Sequence, residues 1–502
     1  MQTGVSRPRA RIPASVRIAT LLFPPAGLWL FWRRRDVGLA RKLFGTLGVL
    51  LYCIPYAALI IFLAVRFNVV QVEWRGGFPP VLTRRKTVPD YRAVELHRAR
   101  QQAQIPPAPG HTNAMSSANW PGFRGPNRDG VYAGTPIRTN WPADGLKPLW
   151  RQPIGGGYAS FAIAGGRAFT IEQRRENEAV TCYDLGTGRE IWVYSYPAFF
   201  DESMGGEGPR ATPTYDDGRV YALGATGEFH CLDSETGRVL WRKDILSENG
   251  AANLTWAQSA SPLVVGEKVI VEPGGPAGRC VIAYHKLTGE LIWKSLNDEA
   301  SYSSPMLVTL AGQKQLLVSM GKRVAGLRVE DGAILWQFPW VVQMGNRNIA
   351  QPVILSTNRF LLSAGYGTGC AIVEISHIEN AFDAHEVWRN KNLKNKFTSS
   401  VFWQGHIYGL DEDILTCLDA ETGARNWKEG RYGYGQLLLA NGQLIILCGE
   451  GDLAIVSAIP DRHVELTRFP AIAGKTWNHP ALADGKLLVR NAVEMACFDL
   501  SP

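Results

Sequence analysis

The chain has 502 residues, of which 46% are hydrophobic and 20% charged, with 52 glycines and 30 prolines. This composition excludes a disordered, collagen-like or coiled-coil protein as the main class. The net charge of +8 is unevenly distributed, because residues 1–119 carry 17 Lys or Arg against 4 Asp or Glu and the remaining chain sums to −5. We therefore expect no nucleic-acid-binding surface on the larger part of the chain.

Two apolar runs lie near the N-terminus. Leu43–Val65 is 23 residues long and has no charged residue, and at about 1.5 Å per residue it can cross a hydrocarbon core of roughly 30 Å. It predicts a transmembrane helix. Ile18–Trp32 has only 15 residues and contains Pro24 and Pro25, so it could form a short broken span, a re-entrant hairpin or an interfacial segment. A hairpin of two spans is favoured.

Basic residues between the two runs predict the orientation of this anchor, residues 1–66. Positively charged loops stay in the cytoplasm, so the chain after Val65 is expected on the periplasmic or exterior side of the cytoplasmic membrane. A cleaved signal peptide is the competing interpretation, but no small-residue cleavage site follows Trp32. Residues 67–119 are polar and contain prolines, which predicts a linker with one amphipathic helix near residues 90–104. The basic residues of the loop are Arg33, Arg34, Arg35, Arg41 and Lys42.

One phrase recurs after residue 140, and it predicts β-hairpins. In Cys231–Trp241 it reads Cys-Leu-Asp-Ser-Glu-Thr-Gly-Arg-Val-Leu-Trp. An apolar strand ends at the Asp, the Asp and Thr-Gly form a tight turn, and a second strand carries the Trp. Another predicted hairpin precedes each copy, which gives the four strands of a β-propeller blade. The other copies are Cys182–Trp192, Ala283–Trp293, Gly326–Trp336 and Cys417–Trp427.

The number and order of the repeats predict an all-β, eight-bladed propeller over residues 120–502. The upstream hairpin occurs eight times, starting near Ala159 and ending near Asn478. An outer strand without a blade stands at Trp150, and the last blade ends at Asp499 without an outer strand. We therefore expect the N- and C-terminal strands to pair and close the ring, which removes free sheet edges.

The Asp-x-x-Thr-Gly-x-x-x-Trp phrase resembles the repeat of the PQQ-like, or quinoprotein-type, β-propeller family over residues 149–500. Trp120–Gly130, just before the first blade, is similar to the corresponding segment of membrane-anchored bacterial members. The family contains quinone-dependent alcohol dehydrogenases, a propeller lipoprotein of outer-membrane protein assembly, and anchored propellers without assigned chemistry. In this repeat the tryptophans are expected to pack between blades.

The positions of the cysteines predict that these side chains pack in the core and form neither disulfides nor a metal site. Four of them occupy one repeat position in different blades, so they are expected in separate cores, too far apart for disulfides. The others show no metal-ligand spacing, and no metal site is predicted. The four repeat cysteines are Cys182, Cys231, Cys417 and Cys497.

A ligand of a propeller is expected where the innermost strands converge on the central channel. Aromatic and basic residues occur just before several of these strands, and such a rim suits a flat or anionic ligand. The alternative is that these residues only fill and solvate the funnel. No catalytic residue is assigned. The candidate cofactor-binding residues are Arg210, Trp256, Tyr302, Lys396, Tyr434, Trp477 and Asn478.

The sequence favours a binding or scaffold module in the cell envelope, with an envelope protein or polymer as its partner. The alternative is a PQQ-dependent dehydrogenase that oxidises an alcohol or sugar. For that enzyme the resemblance implies PQQ, a bound Ca²⁺ and an Asp base, together with adjacent cysteines beneath the quinone. The chain has no Cys-Cys pair, so PQQ with Ca²⁺ is not favoured.

Overall fold

The computed structural model describes residues 12–67, 69–77, 79–83, 89–104, 120–142, 144–343, 345, 348–379 and 381–502. The chain divides into two compact units, Met1–Lys86 and Thr87–Pro502. Residues 105–119 of the predicted linker lie outside the described residues.

The first unit contains helices α1 (Ala14–Leu22), α2 (Pro24–Trp32) and α3 (Leu39–Arg66), followed by the antiparallel strands β1 (Gln71–Glu73) and β2 (Val81–Thr83). In the described part of the chain, α3 is the one helix long and apolar enough to cross a membrane. The first apolar run is interrupted at Phe23, because Pro24 and Pro25 begin a new helix. Each of its two helices has 9 residues, fewer than the roughly 20 that a span requires. The crossing by residues 18–32 stays a prediction.

The second unit is the propeller, and its strands form eight sheets. Each blade has four antiparallel strands, and blade 7 gains β3 (Val131–Tyr132) as a fifth, parallel one. Before the blades come helix α4 (Tyr91–Ala103) and strand β4 (Trp150–Pro153), and a 3₁₀ turn follows β12 at Ser247–Asn249. In chain order the blades are: blade 1, β5 Ala162–Ala164, β6 Arg167–Arg174, β7 Asn177–Asp184, β8 Glu190–Pro197; blade 2, β9 Thr214–Asp216, β10 Arg219–Leu223, β11 Glu228–Asp233, β12 Val239–Asp244; blade 3, β13 Leu263–Val265, β14 Lys268–Val271, β15 Val281–His285, β16 Leu291–Ser295; blade 4, β17 Met306–Leu310, β18 Gln313–Ser319, β19 Arg323–Arg328, β20 Ile334–Pro339; blade 5, β21 Val353–Ile354, β22 Arg359–Ala364, β23 Gly369–Ile378, β24 Ala381–Asn390; blade 6, β25 Val401–Trp403, β26 His406–Asp411, β27 Ile414–Asp419, β28 Arg425–Arg431; blade 7, β29 Gln436–Ala440, β30 Gln443–Leu447, β31 Asp452–Ser457, β32 Glu465–Pro470; blade 8, β33 Ala481–Ala483, β34 Lys486–Arg490, β35 Glu494–Asp499, with β4 outermost.

The predicted eight blades and their closure by the two chain ends are confirmed. Strand β4 pairs antiparallel with β35, so that Trp150 lies opposite Cys497. The two faces of the propeller carry different connections between strands. The loops that lead into the innermost strands lie on one face, which we call the rim face. The Asp-x-x-Thr-Gly turns lie on the opposite face, which we call the plug face.

The repeated phrase locks most blades to the next. In blade 2 the Asp233 carboxylate accepts hydrogen bonds from the backbone N–H and the hydroxyl of Thr236 at 2.9 and 2.7 Å. Gly237 has a φ of 72°, and a Cβ there would lie 2.6 Å from the ring of Trp192 in blade 1. The Nε1–H of Trp192 donates to the carbonyl of Ser234 at 2.9 Å. Corresponding indole bonds leave Trp150, Trp241, Trp293, Trp388 and Trp427.

The prediction that the tryptophans pack between blades is thus confirmed, and so is the packing role of the cysteines. Cys182, Cys231, Cys417 and Cys497 are buried and unpaired. Burial raises the pKa of each thiol, so these groups stay neutral small side chains in the cores.

A belt of hydrogen bonds joins the starts of the innermost strands around the channel. In each step the backbone N–H at the start of one strand donates to a side-chain oxygen of the next blade, and the bonds measure between 2.7 and 2.9 Å. The Ser160 hydroxyl donates to the carbonyl of His479 at 2.6 Å and so links blade 1 to blade 8. The acceptors of the five amide bonds are Thr212, Ser261, Ser304, Gln351 and Ser399.

The segment Trp120–Gly130 plugs the channel. Its backbone pairs with Ile163 of blade 1 at one end and continues into β3 at the other, while two buried arginines reach inward between the blades. Arg124 donates to the carbonyl of Ser400 at 2.9 Å. Arg128 donates to the carbonyls of Ser261 and Pro305 at 2.9 and 3.0 Å, and also to that of Pro262. The plug therefore satisfies carbonyl groups on three different blades.

Helix α4, which the sequence analysis assigned to the linker, packs against the closing strand. Arg98 is buried and donates to the Gln152 side chain and the Pro153 carbonyl of β4 at 3.0 Å each. It also lies 3.3 Å from the Glu190 carboxylate of blade 1. The helix predicted near residues 90–104 is thus confirmed, and it covers the seam where the two chain ends meet.

A buried carboxyl lies near the plug. Glu272 is 1% exposed, and neither of its oxygens has a hydrogen-bond partner within the described residues. Burial raises the pKa of Glu272 to about 8, although the Arg128 guanidinium opposes this shift. The carboxyl is thus mainly protonated at neutral pH, which spares the protein the cost of a buried charge.

We predict that Arg128→Met destabilises the propeller. The substitution leaves three buried carbonyl oxygens without their donor, and we expect the free energy of unfolding to fall by about 3 kcal/mol. The measurement is denaturant unfolding of the detergent-solubilised full chain, followed by tryptophan fluorescence. Arg238→Met, at an exposed turn residue, is the matched control. A loss no larger than that of the control would contradict the role of the plug.

We also predict a pH-dependent gain from Glu272→Gln. A pKa raised in the folded state means that native Glu272 binds a proton which the unfolded chain releases between about pH 4.3 and pH 8. Wild-type stability therefore falls as the pH rises through this window. The glutamine variant should melt at least about 2 °C above the wild type at pH 8.5, and at the same temperature near pH 4.5. Glu330→Gln, on the surface, is the control, and a lower melting temperature of Glu272→Gln at pH 8.5 would refute this ionisation scheme.

Candidate binding site on the rim face

The rim face is built from the loops that lead into the innermost strands. Each of these loops crosses from the outer strand of one blade to the centre of the next, so the residues just before each innermost strand gather around one axis. The belt fixes the chain at the start of these strands, and it thereby fixes the side chains two positions upstream of the belt residues. The rim positions are Tyr158, Arg210, Ser259, Tyr302, Ile349, Thr398, Tyr434 and Trp477.

Four aromatic rings form a continuous row across blades 1, 6, 7 and 8. Tyr158 stacks on Trp477 with a centroid separation of 5.5 Å, and Trp477 lies 4.8 Å from Phe397. Phe397 in turn lies 5.5 Å from Tyr434. All four side chains are half-buried, so the row presents a firm surface rather than freely mobile rings.

Three cations lie over this row. The Arg210 guanidinium is 5.7 Å from the ring of Tyr158. The Lys475 ammonium is 4.5 Å from the ring of Trp477, and the Lys396 ammonium is 4.9 Å from the ring of Tyr434. Cations at such distances are attracted by the negative face of an aromatic ring. The row and its cations together form what we call the rim row.

Carboxylates and carbonyls hold these cations in place. Arg210 lies 3.3 Å from the Glu202 carboxylate and donates to the carbonyl of Gly206 at 2.9 Å. Burial lowers the pKa of Arg210, and the same effect lowers the pKa of Lys396, although Glu412 at 3.8 Å opposes the shift in Lys396. The rim row is therefore preorganised and carries a small excess of positive charge.

The structure brings some of the predicted residues together and separates others. Arg210, Lys396, Tyr434 and Trp477 belong to the rim row. Trp256 and Tyr302 form a second pair on blades 3 and 4, with ring centroids 5.8 Å apart. That these six residues bind a ligand stays a prediction.

Asn478 has a different place from the other predicted residues. It is fully buried, and its amide donates to the carbonyls of Gly157 and Ala159 at 3.2 and 2.9 Å. Asn478 thus fastens blade 8 to blade 1 beneath the rim row. Its position one residue after Trp477 turns the side chain into the junction between the blades.

Sequence reasoning missed two members of the row, Phe397 and Lys475. It took one register position per blade and added some neighbouring residues such as Lys396, but it did not include Phe397 and Lys475, which stand one and two positions upstream of that register. The signal that could have found them is the clustering of aromatic and basic residues in Lys396–Phe397 and Lys475–Trp477.

The rim row does not fit a quinone stacked on Trp477. Tyr158, Phe397 and Lys475 already occupy the surroundings of that indole, so a flat cofactor would have to displace one of them. Arg210 is already engaged by Glu202 and two backbone carbonyls. In the described part of the chain, no group of three or more His, Cys, Asp or Glu residues is arranged to hold a metal ion.

Comparisons with known proteins agree with this architecture. A family model described as "Outer membrane protein assembly factor BamB" matches residues 176–429. The protein of that name from Moranella endobia is 24% identical over 283 residues, which cover 53% of this chain and 68% of the relative. The protein of that name from Shewanella oneidensis is 23% identical over 209 residues, 41% of this chain, and the match spans about half (48%) of the relative.

Solved structures show the same fold at low sequence identity. BamB from Moraxella catarrhalis aligns with a TM-score of 0.51 and 14% identity, covering 70% of this chain and 97% of that one. The quinohemoprotein alcohol dehydrogenase from Comamonas testosteroni aligns with a TM-score of 0.54 and 13% identity, covering 82% and 84%. The repeat phrase, the eight closed blades and the family match over half of the sequence lead to one conclusion: the chain belongs to the PQQ-like β-propeller family that this model describes.

Proposed function

We propose that this protein is a membrane-anchored scaffold of the cell envelope, which binds another envelope protein through the rim face of its propeller. Residues 1–66 are the anchor, residues 67–119 the linker that includes α4, and residues 120–502 the propeller. Helix α3 supplies the span, and none of its side chains is buried by the rest of the protein. Three basic residues between α2 and α3, and Arg41 and Lys42 in the first turn of α3, favour the cytoplasmic side for that junction, which leaves the propeller outside the cytoplasm.

The observation that carries this proposal is the rim row. Aromatic and arginine side chains held in a fixed arrangement are typical of the energetically dominant residues of protein interfaces. The four aromatic side chains of the row are already ordered before binding. Their ordering therefore adds little conformational entropy cost when a partner binds. Arg210, Lys396 and Lys475 add a positive potential that favours an acidic partner surface.

The names of the relatives also support a scaffold role. Both curated relatives carry the name of an outer membrane protein assembly factor, which describes proteins that work with other envelope proteins. We extend only the general role to this chain, a propeller that holds a protein partner in the envelope. A scaffold with a stiff ring and broad loop surfaces suits that role.

The PQQ-dependent dehydrogenase is the second candidate, and the likeness to a quinohemoprotein alcohol dehydrogenase is the observation behind it. That likeness concerns the fold, which hosts both binding proteins and enzymes. The crowded surroundings of Trp477 weigh against a stacked quinone at the rim row. We therefore rank the dehydrogenase below the scaffold.

The test of the scaffold is site-specific photo-cross-linking of the full chain in its native membranes. A photoreactive residue in place of Lys475, which is on the rim face, should trap one reproducible protein. The same residue in place of Glu235, which is 68% exposed on a blade 2 turn of the plug face, is the matched control. In a Trp477→Ala background we expect the adduct to fall at least tenfold, because the row loses its central ring.

Two outcomes would count against the scaffold. One is an adduct pattern at Lys475 no different from that at Glu235. The other is saturable quenching of tryptophan fluorescence by PQQ with Ca²⁺ in the purified full chain, abolished by Arg210→Ala, which would favour the dehydrogenase. An acidic partner is specifically expected, so capture that is insensitive to Lys396→Glu would also contradict the role of the rim cations.

A further inference from the structure

Blade 5 departs from the repeat at the plug face. Strand β23 pairs with β24 as far as Ile378 opposite Ala381. The pairing of Ile372 with Trp388 corresponds to that of Cys417 with Trp427 in blade 6. Blade 6 turns two residues after Cys417, whereas β23 continues four residues past the equivalent point, a projection of about 13 Å.

This extension replaces an inter-blade lock. In most blades the indole N–H of the preceding blade donates to the carbonyl of the Asp-x-x-Thr-Gly turn or its equivalent. Trp336 of blade 4 instead donates to the Gln315 side chain of its own blade at 2.6 Å. The lock between blades 4 and 5 is thus absent where the hairpin β23–β24 extends.

One face of the hairpin is packed and keeps it rigid. Ile375 is 1% exposed, and Phe382 and Ala384 pack against the core between blades 4 and 5. The ring of His377 stacks on that of Phe382 with centroids 3.9 Å apart. The hairpin is therefore a fixed wall rather than a loose loop.

The other face of the hairpin is open and borders a groove between blades 5 and 6. Ile378 is 68% exposed, and the Asp383 side chain is 77% exposed. Beneath this face lies a cavity of about 440 Å³, within the usual range for ligand pockets. Its lining combines the apolar side chains of Leu355, Phe402 and Ala420 with polar and charged ones.

Carboxylates dominate the charge of this groove. The Arg359 guanidinium donates to Glu374 and to both carboxylate oxygens of Glu421 at 2.9 Å, so that base is already matched by two acids. The imidazole of His385 lies 3.8 Å from the carboxylates of both Glu374 and Asp383. The Asp383 and Glu421 side chains, 77% and 74% exposed, face solvent at the two sides of the groove.

We propose that this groove binds an extended segment of a partner polypeptide, which places an apolar side chain on Leu355 and Phe402 and a Lys or Arg beside Asp383 and Glu421. The half-buried Leu355 and Phe402 side chains gain from being covered, and the excess of carboxylates selects a basic segment. The open strand face of the hairpin offers a straight wall along which such a segment runs. This site lies on the plug face and is independent of the rim row.

The test uses the purified full chain in detergent and three labelled seven-residue peptides, measured by fluorescence anisotropy. One peptide alternates Lys and Leu, one alternates Glu and Leu, and one alternates Lys and Ser. We expect saturable binding of the first, weakening with salt, and at least tenfold weaker binding of the other two. The double variant Asp383→Lys with Glu421→Lys should weaken the Lys-Leu peptide at least tenfold.

A matched control distinguishes binding at the groove from general attraction between the peptide and surface charges. Glu235 occupies in the blade 2 turn the place that Glu421 occupies in blade 6, so Glu235→Lys should leave binding unchanged. An unchanged melting temperature of the double variant confirms that its fold is intact. The proposal is overturned if the Lys-Leu peptide does not saturate, if the Glu-Leu peptide binds equally well, or if the double variant binds like the wild type. A change of oligomeric state in the double variant would instead assign the groove to a second copy of this chain.

Discussion

The whole propeller depends on how the innermost strands are held around the channel. These strands are short, three residues in β5, β9, β13, β25 and β33, and their inner edges would otherwise present unpaired backbone groups. The belt supplies an acceptor for the backbone N–H at the start of five of them. Arg124 and Arg128 supply donors for the carbonyls at the same level. The belt bonds cross from one blade to the next, and the arginine bonds run from the plug to three blades, so each set ties several blades together.

The anchoring of the innermost strands has different consequences at the two faces of the propeller. At the rim face it fixes the loops that carry the aromatic and basic side chains, so the rim row is ordered without a ligand. At the plug face the segment Trp120–Gly130 fills the channel, and the surface left for contacts lies further out, at the turns. The hairpin of blade 5 is the largest departure from the repeat on that side. Two such surfaces on one stiff ring would allow more than one partner to bind, as expected of the scaffold that we propose.

The sequence was sufficient for the architecture because one phrase encodes both a local and a long-range interaction. The Asp and Thr of the turn form local hydrogen bonds, while the Gly and the Trp meet across neighbouring blades. The phrase therefore identified the blade type, and the eight upstream hairpins gave the number of blades. The plug could not be predicted, because an arginine that binds backbone carbonyls has no sequence partner to reveal it. Phe397 and Lys475 were missed for a related reason, since the rim depends on three-dimensional convergence rather than on one register position. The hairpin of blade 5 left a visible sign, the missing Thr-Gly before Trp388, but only the register shows what replaces the turn.

The most direct test of this account is hydrogen exchange of the innermost strands, measured by mass spectrometry on the full chain with and without Arg128→Met. If the belt and the plug hold one ring, the belt amides at the starts of the innermost strands in blades 1 to 5 exchange slowly in the wild type. In the variant all of them should accelerate together, including those of blades 1 and 5, which Arg128 does not touch. Acceleration confined to blades 3 and 4, whose carbonyls bind Arg128, would contradict the claim that the ring is one cooperative unit.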